Sequence, residues 1–224
     1  MASSVVFLVD VDNTLLDNDR FRDDVREHFA QQLGEATRDL YWEIQERLFV
    51  DLGYREYLGA LQQAWVESGR DMRIAALSSY LLDYPFAERL YPGALDVLAR
   101  FREWGMTVAL TDGESVFQPR KLELAGISAA VAGEVLIYVH KEEELDDVER
   151  RYPAERYVVV DDKLRILAAV KQAWGDRVTT VFPRQGQFAN DAVLVAELPP
   201  ADVTVERIGE LLEYDLERLL SASS

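Results

Sequence analysis

The sequence predicts an α/β fold: a Rossmann-like parallel sheet core with helices on both faces, plus an inserted all-helical cap. Three observations carry this. Continuous apolar runs, partly β-branched and without polar alternation, recur at residues 5–9, 106–110, 157–160 and 178–182, the pattern of strands buried on both faces. A stretch with helical apolar spacing precedes each of the last three. From about residue 17 to 91 only helical spacing is found, so a helical block interrupts the sheet after its first strand.

The elements follow in order. Val5-Val6-Phe7-Leu8-Val9 is the first strand and ends at Asp10. In the insert, Phe21, Val25, His28 and Phe29 share one helical face, closed by Gly34. Leu40, Ile44, Leu48 and Phe49 make a second face, Tyr57, Leu58, Leu61 and Trp65 a third, and Ile74, Leu77, Leu81 and Leu82 a fourth. Pro92-Gly93 opens the helix that buries Ala94, Val97, Leu98 and Phe101. The next strand ends at Thr111-Asp112-Gly113, and an apolar segment, Val135-Leu136-Ile137-Tyr138-Val139, leads to Lys141. Helices are expected over about 142–151 and 164–174, flanking the strand that ends at Asp161-Asp162. Residues 183–191 are polar around Gly186 and read as a loop. Residues 203–220 read as a final amphipathic helix with Ile208, Leu211, Leu212 and Leu219 inward, before a frayed tail at 221–224. The domains expected are a core of 1–16 and 91–224 and a cap of 17–90.

Composition narrows the function classes. The 224 residues, 49% hydrophobic, suffice for a sizeable core. Lys and Arg number 24 against 41 Asp and Glu, a net charge of −17 that repels nucleic acid and anionic lipid. There is no cysteine, which excludes disulfides, thiol nucleophiles and thiolate metal sites, and two histidines cannot build a multi-histidine centre. No stretch approaches the roughly 20 apolar residues of a membrane span, and a cytoplasmic protein is the expectation.

In open α/β sheets ligands sit beyond the carboxyl ends of the strands. The first end is Asp10-Val11-Asp12-Asn13-Thr14, whose residue types also suit an ordinary turn or helix cap. Thr111-Asp112-Gly113 offers a hydroxyl and a turn into the next helix, and Lys141 follows the third apolar segment. Asp161-Asp162 places two acids side by side, and their repulsion calls for a cation. Magnesium, an oxygen-seeking ion held by one or two carboxylates, is the natural candidate.

Taken together and in order, these elements resemble the haloacid dehalogenase-like hydrolase superfamily. Asp10-Val11-Asp12-Asn13-Thr14 is similar to its first motif, Thr111 to its second, Lys141 to its third and Asp161-Asp162 to its fourth. Leu90-Tyr91-Pro92-Gly93-Ala94 is similar to the start of the helix after the cap. The resemblance implies phosphoryl transfer through an aspartyl-phosphate. Asp10 would be the nucleophile and Asp12 the general acid and base. Thr111, Asp112, Gly113 and Lys141 would bind phosphate, and Asp10, Asp12 (through its backbone carbonyl), Asp162 and Asp161 would hold Mg²⁺. The substrate would be a small phosphorylated metabolite.

Other readings stay open. Phosphomutases of the superfamily share the Asp12 position, whereas its dehalogenases have a non-acidic residue there. A phospho-acceptor regulatory module or a non-catalytic binding relative are further alternatives. Lys121 competes with Lys141 as the phosphate lysine, but Arg120-Lys121-Leu122-Glu123-Leu124 reads as a helix with the lysine on a solvated face.

Overall fold

A computed structural model describes residues 3–222 of the chain; Ser223 and Ser224 of the expected frayed tail lie outside the described residues. The sheet contains β1 (Ser3–Val9), β2 (Met106–Asp112), β3 (Val135–Tyr138), β4 (Ala154–Val160), β5 (Val178–Pro183) and β6 (Val203–Val205). All pairings are parallel, in the order β3-β2-β1-β4-β5-β6. Val6 is paired with Met106 on one side and Tyr157 on the other, so the first strand lies inside the sheet.

Alternate residues of β1 feed two separate cores, as the period of two in a strand requires. Val5, Phe7 and Val9 pack on one face with Val97, Leu98 and Phe101 of α5 (Ala94–Trp104). The Phe7 and Phe101 rings stack at 4.4 Å. Val6 and Leu8 pack on the other face with Val148 of α8 (Leu145–Arg151) and Leu167 and Val170 of α9 (Leu164–Trp174). The unbroken apolar runs are therefore the signature of a sheet covered on both sides.

Between β1 and α5 lie four α-helices, α1 (Asn18–Leu33), α2 (Glu35–Leu52), α3 (Tyr57–Glu67) and α4 (Met72–Leu82), and a 3₁₀ segment, Phe86–Arg89. Acidic side chains cap three of them. Asp17 accepts from Arg20 N–H at 2.9 Å, Glu56 from Gly59 N–H at 2.7 Å and Asp71 from Arg73 N–H at 2.9 Å. The two crossings between this block and the core are tied together. Asp17 N–H donates to the Arg89 carbonyl at 2.7 Å, and Tyr91 N–H to the Leu15 carbonyl at 2.9 Å. A second meeting point is Gly53, where a Cβ would lie 2.3 Å from the His140 ring; only glycine leaves that space.

Three parts of the chain differ from the sequence expectation. The segment before Lys141 is itself a strand, β3. Residues 203–220 are not one helix: they form β6, a 3₁₀ segment Ile208–Glu213 and a short helix, Leu216–Ser221. Residues 183–191 include a single helical turn, Gly186–Ala189, and a further turn spans Ala192–Glu197. Ile208, Leu211 and Leu219 are nonetheless buried, so the apolar spacing reported burial while the short elements followed tertiary packing. Among the described residues no helix is long and apolar enough to cross a membrane.

Candidate active site

The loop after β1 is shaped by its own residue types. Val11 is buried, and its carbonyl accepts from Leu15 N–H at 2.9 Å and Leu16 N–H at 3.0 Å, turning the chain sharply back. Asn13 takes φ 62°, a left-handed conformation that asparagine tolerates better than most residues. Its Oδ1 accepts from Asn18 N–H at 3.0 Å and Asp19 N–H at 3.1 Å, capping α1. Thr14 Oγ1 accepts from Asp162 N–H at 3.1 Å, which joins the ends of β1 and β4. Gly186 seats the far side of the loop, since a Cβ there would lie 2.4 Å from Asn13 Cβ. Gln185, buried beside it, donates to the Thr14 carbonyl at 3.0 Å and accepts from Ile208 N–H at 2.6 Å.

Behind this loop lies a buried cluster of one lysine and three aspartates. Lys141 Nζ contacts Asp10 Oδ1, lies 2.7 Å from Asp161 Oδ2 and donates to the Leu110 carbonyl at 3.2 Å. Lys141 N–H also donates to Asp112 Oδ1 at 3.0 Å. Burial opposes the charge on Lys141, but Asp10, Asp161 and Asp112 outweigh it and hold its pKa well above the usual lysine range. Asp161 Oδ1 accepts from Lys163 N–H at 2.8 Å. Burial, with Asp10 nearby, pushes the Asp161 carboxyl up to about 6, against the pull of Lys141. Burial and the neighbouring Asp10 and Asp161 push Asp162 further up, well above the carboxylate range.

One oxygen of Asp10 and both of Asp162 are buried without a hydrogen-bond partner. Ligand oxygens of Asp10, Asp161 and Asp162 all lie within 4.8 Å of one another. Three carboxylates around one lysine, with orphaned oxygens converging, fit a hard divalent cation of the Mg²⁺ type. The Asp12 carboxylate is not part of this cluster.

Asp12 faces the other way, toward Lys121. Lys121 Nζ lies 2.8 and 3.0 Å from the two Asp12 oxygens and 3.1 Å from Asn18 Oδ1. This corrects the sequence expectation of a solvated lysine: Lys121 is 1% exposed. It sits 5.5–5.8 Å from the ring centres of Phe21, Phe86 and Phe117, a geometry in which aromatic faces attract a cation. Helix α6 (Phe117–Leu124) buries Phe117, Gln118, Lys121 and Leu122. The signal was present, because Lys121 is four residues after Phe117 and shares its face. Thr111 is buried at the end of β2, where its hydroxyl accepts from Gln118 Nε2 at 2.9 Å and donates to the Asp112 carbonyl at 3.3 Å.

A cavity of about 560 Å³ opens between the helical block and the strand ends. Asp12, Asp112, Gly113, Gln118 and Lys163 line its core side, and Arg22, Phe49, Tyr54 and Tyr57 its insert side. Asp12, 28% exposed, thus lines this cavity, whereas Asp10, Lys141 and Asp161 are buried and line a separate small pocket. Gln118 and Gln185 are contributors that sequence reasoning missed, since neither follows an apolar run directly, the signal that found the aspartates; Lys121 was weighed but placed on a solvated face.

A model of the haloacid dehalogenase-like hydrolase family matches residues 5–173. The chain belongs to this family. It is similar to a haloacid dehalogenase-like hydrolase from Burkholderia xenovorans LB400, with 56% identity over 96% of this chain and 98% of that one and a TM-score of 0.91. More distant structures share the fold. A magnesium-bound HAD-hydrolase, YfnB of Bacillus subtilis, is 19% identical over 94% of this chain and 97% of that one, TM-score 0.61. The L-2-haloacid dehalogenase of Xanthobacter autotrophicus is 16% identical over 95% of this chain and 98% of that one, TM-score 0.59. No curated protein matches the chain. As a member of the family the chain is a hydrolase, and its buried acidic triad could hold the divalent metal that the family generally uses.

Proposed function

We propose that this hydrolase is a Mg²⁺-dependent phosphomonoesterase acting on a small phosphorylated metabolite through an aspartyl-phosphate. The observation that carries the reading is Asp12, an acid two residues after Asp10 that lines the cavity and is held by Lys121. An ester oxygen leaving as an alkoxide needs a proton, whereas a halide does not.

Asp10 attacks phosphorus with one carboxylate oxygen as the P–O bond to the leaving group breaks, and Asp12 delivers its proton to that oxygen. Asp12 then takes a proton from water as the water oxygen attacks phosphorus. The P–O bond to Asp10 breaks, freeing phosphate and restoring the carboxylate. Lys141 keeps Asp10 oriented and offsets phosphoryl charge. Lys121 holds Asp12 in place, and Thr111, fixed by Gln118, with Asp112 and Gly113 completes the phosphate pocket. Asp10, Asp161 and Asp162 would hold Mg²⁺, which supplies positive charge to draw an anionic substrate toward an anionic nucleophile. The insert, residues 17–90, serves as the cap that covers the leaving group.

Purified protein with Mg²⁺ should release phosphate from p-nitrophenyl phosphate and from members of a metabolite panel, and D10N should abolish release. Chloride release from 2-chloropropionate with no phosphatase activity would instead assign dehalogenase chemistry.

A further inference from the structure

The cavity contains four cationic side chains, and three are already neutralised. Arg55 is paired with Glu46 at 2.8 Å, Arg165 with Glu142, and Lys163 faces Asp112 at 3.8 Å. Arg22, on α1 of the insert, has no ion pair or hydrogen bond among the described residues. Its Nε is buried without a partner, and its guanidinium lies 5.8 Å from the Trp42 ring centre. Leaving a buried guanidinium N–H unmade is costly unless something else meets it. In a chain of net charge −17, an uncommitted arginine inside a cavity is also unexpected on composition alone.

The rest of the wall says what else the occupant carries. Phe49 from the insert and Phe188 from the core flank are among the exposed large apolar side chains, and both line this cavity with Tyr54 and Leu198. A volume of about 560 Å³ far exceeds a phosphate and lies among clefts that hold whole small molecules, roughly 300–1,000 Å³. Phosphoryl charge is served deeper, by Lys141 beside Asp10. Arg22 stands on the insert wall, where the leaving group would lie.

From this we infer that the substrate is a phosphate monoester whose leaving group has an apolar or aromatic body and ends in a second anionic group, carboxylate or phosphate, that Arg22 binds. The inference rests on the phosphomonoesterase reading and adds a specificity-determining residue to it. A guanidinium is suited to the task, because its planar fork pairs with either anion in a bidentate manner.

The test uses three aryl phosphates of similar shape: 4-carboxyphenyl phosphate, 1,4-phenylene bisphosphate and the neutral 4-carbamoylphenyl phosphate. For each, kcat/KM is measured in wild type, R22Q and R22K. The ratio of an anionic to the neutral substrate should fall at least about tenfold in R22Q and be partly kept in R22K. Comparing ratios removes leaving-group reactivity, and whichever anion shows the larger fall names the source. A ratio unchanged in R22Q for both anions overturns the inference. If none of the three is turned over, the phosphatase reading fails by itself only where p-nitrophenyl phosphate and the metabolite panel also release no phosphate. The inference is then read from calorimetry of 4-carboxybenzylphosphonate against 4-carbamoylbenzylphosphonate with Mg²⁺ present. Tighter binding of the anion, lost in R22Q, supports it; equal binding or no binding of either overturns it.

Discussion

Two lysines, each 1% exposed, serve the two aspartates of the first loop in opposite ways. Lys121 meets a single carboxylate, Asp12, and its remaining surroundings are an amide oxygen and three aromatic rings. That pocket is neutral and complete. Lys141 meets Asp10 and Asp161, with Asp162 beside them; the Lys163 ammonium adds charge without contacting these three acids, and several carboxylate oxygens are left without partners. That pocket is incomplete by design of its charges. The difference teaches that burial of a lysine does not by itself mark an anion site. The count of opposing charges decides whether the lysine only positions one carboxylate or leaves carboxylate oxygens free for a cation.

The sharpest way to break the comparison is to remove the lysine from the incomplete pocket. K141M leaves three buried acids together, and should lower kcat by at least about 10³-fold while destabilising the fold by about 3–5 kcal/mol. Steady-state kinetics and urea unfolding read both; retention of activity would remove Lys141 from the site.

The Lys121–Asp12 pair should respond asymmetrically. D12N strands a buried lysine charge and should cost about 3–5 kcal/mol of stability, whereas K121M leaves Asp12, 28% exposed, free to be hydrated and should cost about 1–2 kcal/mol. The double variant D12N/K121M should be more stable than D12N alone, and its kcat no lower. Additive losses in a double-mutant cycle would show that the two side chains act independently.

The smallest effect concerns pH. Asp161 and Asp162 are pushed up by burial, Asp161 to about 6, so their neutral forms favour folding below the ordinary carboxylate range. That contribution is lost as pH rises through the folded values. Metal-stripped protein should therefore be less stable at pH 8 than at pH 5. Because a cation binds the ionised acids, Mg²⁺ should raise Tm by several degrees at pH 8 and little at pH 5. D162N should flatten the difference, and equal Mg²⁺ shifts at both pH values would break the assignment of the incomplete pocket.

Much of the core and the aspartates was legible because a doubly covered parallel sheet leaves a loud trace: four or five apolar residues, then an acid. Asp10, Asp161 and Asp162 were found that way and meet in space. Lys141 was found by order along the chain, and it too reaches the cluster. Lys121 was misread because one helical turn of Arg, Lys and Glu resembles a solvated face. Its burial depends on Phe21 and Phe86, roughly 100 and 35 residues earlier in the chain, which no local window contains. The strands β3 and β6, with four and three residues, are too short for a period of two to stand out. They are strands because a neighbouring edge was waiting to be paired.

The interior position of β1 has a consequence for the chain's synthesis. β1, made before the other described strands of the sheet, pairs only with strands that begin at Met106 and Ala154. Asp10 therefore waits, unpositioned, until well over half the polypeptide has followed it. Contacts of such long sequence separation form slowly. Helices α1 to α4 pack mainly on their neighbours in the chain, and can gather first. A nascent or truncated chain that stops short of β4 carries Asp10, the proposed nucleophile, but neither Asp161 nor Asp162, and should be chemically silent until the sheet closes around β1.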